Sequence, residues 1–423
     1  MYILYDFIFF LIALVYLPAY IFKGKLHGGL KARLGILPKQ LNLGRPLWIH
    51  AVSVGEAVMI KGFLEELRKK FPQKNVVITT VTPTGNAIAR TLAREGDLVT
   101  YLPFDISFIV AHFIRIVRPC MCVIAETELW PNLLRSLRTQ HIPVALVNGL
   151  ILDRSFPRYY RFRWFCKHLF NNVGFFCVQS QTDKSRLMQI GVDEQHIAVT
   201  GNMKFDAVSE RVSVTGLRRK LALSDDDRLF VCASTHHGED AVLIAAFKDL
   251  VMESSSVRFC IAPRHPERTG EIEKLLLDEG FEPVRISRLS DTPALSSQGV
   301  VFILDTVGVL MEYYALADIV FVGGSLVKKG GHNILEPASL AKPVMTGPHL
   351  FNFRDIADLF IRNNACVIVE NSRDIVNTVA ELLRDPARRK ALGEAGLAVV
   401  RLNQGATQRT LALVHDLARQ YGI

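Results

Sequence analysis

The chain has 423 residues, 49% hydrophobic and 22% charged, with a formal net charge of +9. That length suits two domains, and the composition is that of a globular protein with ample core. The positive balance points to an acidic partner such as anionic lipid or a phosphorylated substrate; no basic block exceeds three residues, so no nucleic-acid partner is expected.

Residues 1–22 stand apart. From Ile3 to Phe22 nearly every residue is apolar or aromatic, with Asp6 the one charge and Pro18 a potential kink. The stretch is just long enough to cross a bilayer. Lys23, Lys25, Lys31 and Arg33 follow and place the downstream side in the cytoplasm. Without a small-residue cleavage site, a retained membrane anchor is expected, spanning the bilayer or lying in its interface.

From Pro46 onward short apolar runs alternate with amphipathic segments. The first series predicts strands at Leu47–Ala51, Val76–Val81, Leu98–Leu102, Met121–Ala125, Val144–Val147, Phe175–Val178 and Ile197–Val199. Helical patterns lie between them, including Glu56–Lys70 and Tyr159–Asn171. Continuous apolar strands, each followed by a helix, call for a parallel sheet covered on both faces. After a polar connector a second series begins, with strands at Leu229–Ala233, Arg258–Ala262, Val284–Ile286, Val301–Leu304, Ile319–Val322, Pro343–Met345 and Cys366–Val369. The end of the chain, Arg373 to Tyr421, reads as almost entirely helical. The expected organisation is an α/β protein: anchor 1–22, a Rossmann-like domain 23–205 and a second Rossmann-like domain 206–423, with ligand at the carboxyl ends of the strands. Seven dispersed cysteines lack zinc or redox spacing and suit buried thiols in a reducing compartment.

The strand ends carry the chemistry. After the first strand, Ser53-Val54-Gly55-Glu56 offers a general base at a helix start, although a glutamate there also complements the helix dipole. That dipole lowers the carboxyl pKa where a base needs it raised, so burial must compensate. Glu126 closes an apolar run before Pro131, and Lys204 follows Gly201-Asn202, placed to neutralise a carboxylate or a departing phosphate. Arg264 and His265 close a buried strand and suit a phosphate. The Asp305-Thr306-Val307-Gly308-Val309 loop closes another. The stretch Gly323-Gly324-Ser325, Gly330-Gly331 and His332-Asn333-Ile334-Leu335-Glu336-Pro337 reads as a glycine-bracketed loop whose backbone approaches a ligand closely, then a helix start facing an anion. No Gly-x-Gly-x-x-Gly follows the first strand of either half and no P-loop occurs, which argues against a nicotinamide dehydrogenase or a P-loop nucleotidase. Asp225-Asp226-Asp227 reads as a solvated turn, and His236-His237 lacks a partner at ligand spacing, so no metal site is expected.

Taken together, Ser-Val-Gly-Glu, Glu-Thr-Glu-Leu-Trp-Pro-Asn, Gly-Asn-Met-Lys-Phe-Asp, Arg-His-Pro-Glu, Asp-Thr-x-Gly, Gly-Gly-Ser and His-Asn-Ile-Leu-Glu-Pro resemble the 3-deoxy-D-manno-octulosonic acid (Kdo) transferases of lipid A assembly, across essentially the whole chain. The resemblance implies a GT-B fold, an inverting transfer of Kdo from CMP-Kdo to a tetraacyl lipid A precursor, a place at the cytoplasmic face of the inner membrane, and no cofactor or obligate protein partner. It further implies Glu56 as proton acceptor, Glu126 and Lys204 as transition-state stabilisers, and CMP held by Arg264, His265, the Asp305–Val309 loop and Asn333 to Glu336. Gly324 and Ser325 are assigned to the same donor site. Two positions depart from the family pattern: Leu150, where an arginine is usual, and Val309, where a glutamate is usual. Arg154 or Arg158 is the expected substitute for the missing basic contact. The competing expectation is a membrane-associated GT-B enzyme that uses a UDP-sugar.

Overall fold

The computed structural model describes residues 5–7, 9, 11, 29–38, 41–208, 212–289 and 299–423. They form two compact units, Met1–Ala207 with Asn403–Ile423, and Val208–Leu402.

The first unit is built on seven parallel strands: β1 (Leu47–His50), β2 (Val76–Thr80), β3 (Leu98–Tyr101), β4 (Met121–Ala125), β5 (Val144–Gly149), β6 (Phe175–Val178) and β7 (Ile197–Val199). Their order is β3-β2-β1-β4-β5-β6-β7. Because successive side chains alternate across the sheet, β1 feeds two cores: Trp48 joins Phe113, Ile124 and Phe176, while Leu47 and Ile49 join Ile60, Phe63 and Val123. Both faces are thus covered, which explains the uninterrupted apolar runs. The order reverses between β1 and β4, the switch point where ligands of open α/β sheets bind.

Two features of this unit differ from expectation. The helix anticipated over Tyr159–Asn171 is two helices, Phe156–Arg161 and Arg163–Phe170, hinged at Phe162. The last helix, Ala406–Gln420, packs on the first sheet, although the expected boundary of 206–423 assigned it to the second half. Leu411, Val414 and Leu417 enter the core beside Ile60 and Phe63. Asp206 fastens its start, accepting the Gly405 and Thr407 amides at 2.6 Å each. An amphipathic pattern shows that a helix has an apolar face but not which sheet receives it.

The expected anchor lies mostly outside the described residues. Among the described residues no helix is long and apolar enough to cross a membrane. Asp6, the charge within that stretch, accepts hydrogen bonds from the Ser107 amide (3.1 Å) and from Asn132 Nδ2 (2.7 Å).

The second unit holds β8 (Arg228–Thr235), β9 (Val257–Pro263), β10 (Glu282–Arg285), β11 (Val300–Ile303), β12 (Ile319–Val322), β13 (Val344–Thr346) and β14 (Val367–Ile368), again all parallel. The order β10-β11-β9-β8-β12-β13-β14 puts its switch point between β8 and β12. Phe230, Phe247 and Phe259 form an aromatic cluster at the centre of one core, with Phe247 and Phe259 stacked at 4.1 Å.

Candidate functional site

In the first unit the switch point gathers Glu56 and Glu126 from the ends of β1 and β4. Glu56 is the third residue of helix Val54–Lys70, and its side chain turns back over the helix start. Oε2 accepts the Val52 amide at 2.6 Å and Oε1 accepts the Ser53 hydroxyl at 3.0 Å. Only 7% of Glu56 is exposed. Burial pushes its pKa from 4.5 up to about 7; the Val52 bond opposes the rise, and the charges of Glu126 and Glu128 reinforce it. Burial outweighs the lowering effect of the hydrogen bonds from Val52 and Ser53. Burial likewise raises Glu128, with Glu126 adding to the effect.

Glu126 sits in the left-handed region, φ 55°, where a β-strand must turn sharply. Its amide donates to Val147 O at 2.8 Å, which fixes the turn. Lys204 Nζ lies 3.0 Å from Glu126 Oε1. The contact is electrostatic, since no aligned hydrogen bond reaches that oxygen. Lys204 is carried by a short 3-10 turn, Met203–Phe205, capped by Asn202, whose side chain accepts the Lys204 amide. Asn148, also left-handed at φ 55°, accepts the Met203 amide at 2.9 Å through Oδ1 and so sets the height of that turn. The structure therefore brings together Glu56, Glu126 and Lys204. Motif reading missed the role of Asn148; the signal available was a polar residue closing an apolar strand.

Position 150 is held by its backbone: the Leu150 amide donates to Thr127 Oγ1 at 3.1 Å. Arg154 and Arg158, the expected substitutes for a basic contact there, are both exposed.

In the second unit Arg264 and His265 are exposed at the end of β9, and the Arg264 amide donates to Thr235 O at the end of β8. Arg268, not singled out from sequence, braces the same turn by an ion pair with Asp240 and a 3.2 Å bond to Thr235 O. Asp305 accepts the Ser287 amide at 3.0 Å; Thr306 is half-buried, and beyond it Val307 and Gly308 are exposed, with Gly308 at φ 94° and Val309 half-buried.

The glycine loop behaves differently from expectation. Its close approaches are to the protein itself. A Cβ at Gly323 would lie 2.8 Å from Ser234 O, and one at Gly330 would lie 2.3 Å from the Asn352 side chain. Ser325 is fully buried, its hydroxyl donating to Val322 O and accepting the Gly347 amide. The helix carrying Glu336 is short, Leu335–Ser339, and Asn333 Oδ1 already accepts the Leu335 amide at 3.1 Å. Asn333 Nδ2 donates to Glu336 Oε1 at 3.1 Å, while Ile334 and Leu335 are buried. Burial raises the Glu336 carboxyl; the Asn333 bond and the Arg264 charge oppose this. Arg264 and Glu336 are thus electrostatic neighbours although 72 positions apart, as their numbers show.

The sequence profile described as 3-Deoxy-D-manno-octulosonic-acid transferase (kdotransferase) matches residues 28–207. The 3-deoxy-D-manno-octulosonic acid transferase of Haemophilus influenzae is 35% identical over 372 residues, covering 87% of this chain and 86% of that protein. The chain belongs to the Kdo transferase family. A second Kdo transferase, from Chlamydophila psittaci, is 30% identical over 416 residues, or 96% of this chain and 94% of that protein. The Kdo transferase described here is therefore a glycosyltransferase of lipopolysaccharide biosynthesis. Among solved structures, UDP-GlcNAc 2-epimerase from Neisseria meningitidis bound to UDP-GlcNAc matches with a TM-score of 0.59 at 13% identity, over 88% of this chain and 99% of that one. That likeness concerns the fold alone, two Rossmann-like units of the GT-B kind.

Proposed function

We propose that this Kdo transferase moves Kdo from CMP-Kdo to a lipid A precursor, with Glu56 as the general base. The observation that carries the reading is the Glu56 carboxyl, buried at the switch point of the first sheet with its pKa near 7 and a Glu126–Lys204 pair beside it. A base works best when its pKa lies near the working pH. In the step proposed, Glu56 takes the proton of an acceptor hydroxyl as that oxygen bonds to the anomeric carbon of Kdo. The bond from that carbon to the CMP phosphate oxygen breaks, and CMP departs with the electron pair. Attack opposite the leaving group inverts the centre. Lys204 offsets the charge that develops, and Glu126 holds Lys204 in place.

The donor is assigned to the second unit, with Arg264 and His265 on the phosphate and Asp305 to Val309 and Asn333 to Glu336 around the nucleoside. Exposed Arg264 and His265 at a strand end support this. With valine at 309, that position contributes backbone contacts only. The finer GT-B assignment, with the acceptor held on the first unit and the donor on the second, belongs to the same proposal. So does a site at the cytoplasmic face of the inner membrane, supported by the apolar stretch Ile3 to Phe22 and the lysines after it. Exposed Phe162 and Trp164 among Arg158, Arg161 and Arg163 support an acceptor with phosphates and acyl chains. The reaction as written uses no cofactor.

The test is incubation of the enzyme with CMP-Kdo and a tetraacyl disaccharide acceptor, followed by mass spectrometry. Product heavier by whole Kdo units is expected, and their number gives the units added. In parallel, CMP is expected to raise the melting temperature and UDP is not. Equal protection by both nucleotides removes the CMP assignment.

A further inference from the structure

The Gly323–Leu326 turn after β12 has the form of an anion-binding nest, successive amides converging on one point. That point is occupied by the protein's own carboxylate. Glu239, fully buried in the first turn of helix Glu239–Glu253, accepts the amides of Gly324 (2.7 Å), Ser325 (2.9 Å) and Leu326 (2.8 Å). It also accepts the His236 amide at 2.9 Å. One side chain thereby ties the turn after β8 to the turn after β12, across the switch point. A ligand phosphate has no use of these amides.

The tie delivers His236 to His332. Their rings are parallel, 4° apart with centroids at 5.1 Å, and the two Nε2 atoms are 2.8 Å apart. The pair rests on Gly324, where a Cβ would come within 2.8 Å of the His332 ring. His265 stands edge-on to His236 at 5.8 Å. An Nε2-to-Nε2 bond requires one ring to donate and the other to accept. In the neutral pair the accepting ring must carry its hydrogen on Nδ1, which leaves an N–H to donate to an anionic oxygen. The setting favours that neutral pair. Burial, followed by the facing charges of His236, Arg264 and His265, pushes His332 down to about 4. His236 is lowered chiefly by burial, with Glu239 opposing and His265, Lys329 and Arg268 adding to it.

We propose that Glu239 is a positioning residue that presents the His236–His332 pair, alongside Arg264 and His265, to the phosphate of the donor nucleotide. The inference rests on the donor assignment made above.

The experiment is calorimetric titration of the full-length protein with CMP, with steady-state kinetics on CMP-Kdo. Glu239→Gln places an NH2 group against backbone donors and breaks part of the clamp; CMP binding is expected to weaken about tenfold or more. KM for CMP-Kdo should rise while kcat at saturating donor stays within about threefold. His236→Asn keeps the Glu239 bonds, so its melting temperature should stay near that of the parent while CMP affinity falls. Parent-like CMP affinity in His236→Asn overturns the proposal, as does a Glu239→Gln enzyme that loses stability but binds CMP normally. Should Glu239→Gln fail to fold, His236→Asn alone decides. Failure of the parent enzyme to bind CMP would instead refute the donor assignment.

Discussion

Glu56→Gln separates the chemistry of this site from its stability. The replacement keeps the shape of the side chain and removes the proton acceptor, so kcat is expected to fall by about 10²- to 10⁴-fold, the usual contribution of a positioned base. The stability effect has the opposite sign. In the folded protein the Glu56 carboxyl has a pKa of about 7 against an ordinary value of 4.5. The folded state binds the proton more tightly than the unfolded chain, so stability is intact below about pH 4.5 and is lost as pH rises through about 7. The difference corresponds to ~3 kcal/mol for a side chain only 7% exposed. The amide carries no such penalty. At about pH 8 the variant should melt several degrees above the parent, at roughly 2–4 °C per kcal/mol for a unit of this size. At about pH 4.5 the gap should close. Melting curves at the two pH values and product quantified by mass spectrometry provide the assay. In the parent, kcat/KM should rise with pH and level off above about 7. Parent-like turnover in Glu56→Gln refutes the role, and a flat profile from about pH 5 to 8 refutes the perturbed carboxyl.

Glu126→Gln removes one of the negative charges that raise Glu56, so the acidic limb of the kcat/KM profile should move to lower pH; an unmoved limb would deny that coupling. Lys204→Ala is expected to lower kcat by tenfold or more, an order of magnitude typical of lost electrostatic stabilisation. Asp206→Ala loses both caps on the last helix and should cost ~1–2 kcal/mol, read as a lower melting temperature.

Much of the fold was legible because its signals are local. A run such as Met121–Ala125 or Ile319–Val322, apolar at every position and followed by an amphipathic segment, identifies a strand buried on both faces without knowledge of its neighbours. Polar residues closing such runs are legible for the same reason: the strand ends there, so a charge is tolerated. Glu56, Glu126, Arg264 and Asp305 all lie within a few residues of a strand's carboxyl end, as expected.

What remained hidden depends on which segments meet. The sequence by itself determined the alternation of strands and helices, the residue types at the strand ends and the family to which their combination belongs. The tertiary structure alone decided that Ala406–Gln420 returns to the first sheet, that Phe162 breaks a helix in two, and that burial outweighs the hydrogen bonds at Glu56. It also decided that the glycine turn at Gly323 and Gly324 is filled by Glu239, a residue more than 80 positions earlier in the chain. Composition and periodicity describe each element's own faces. Pairing across a sheet, and the desolvation that follows from it, are properties of the assembled chain.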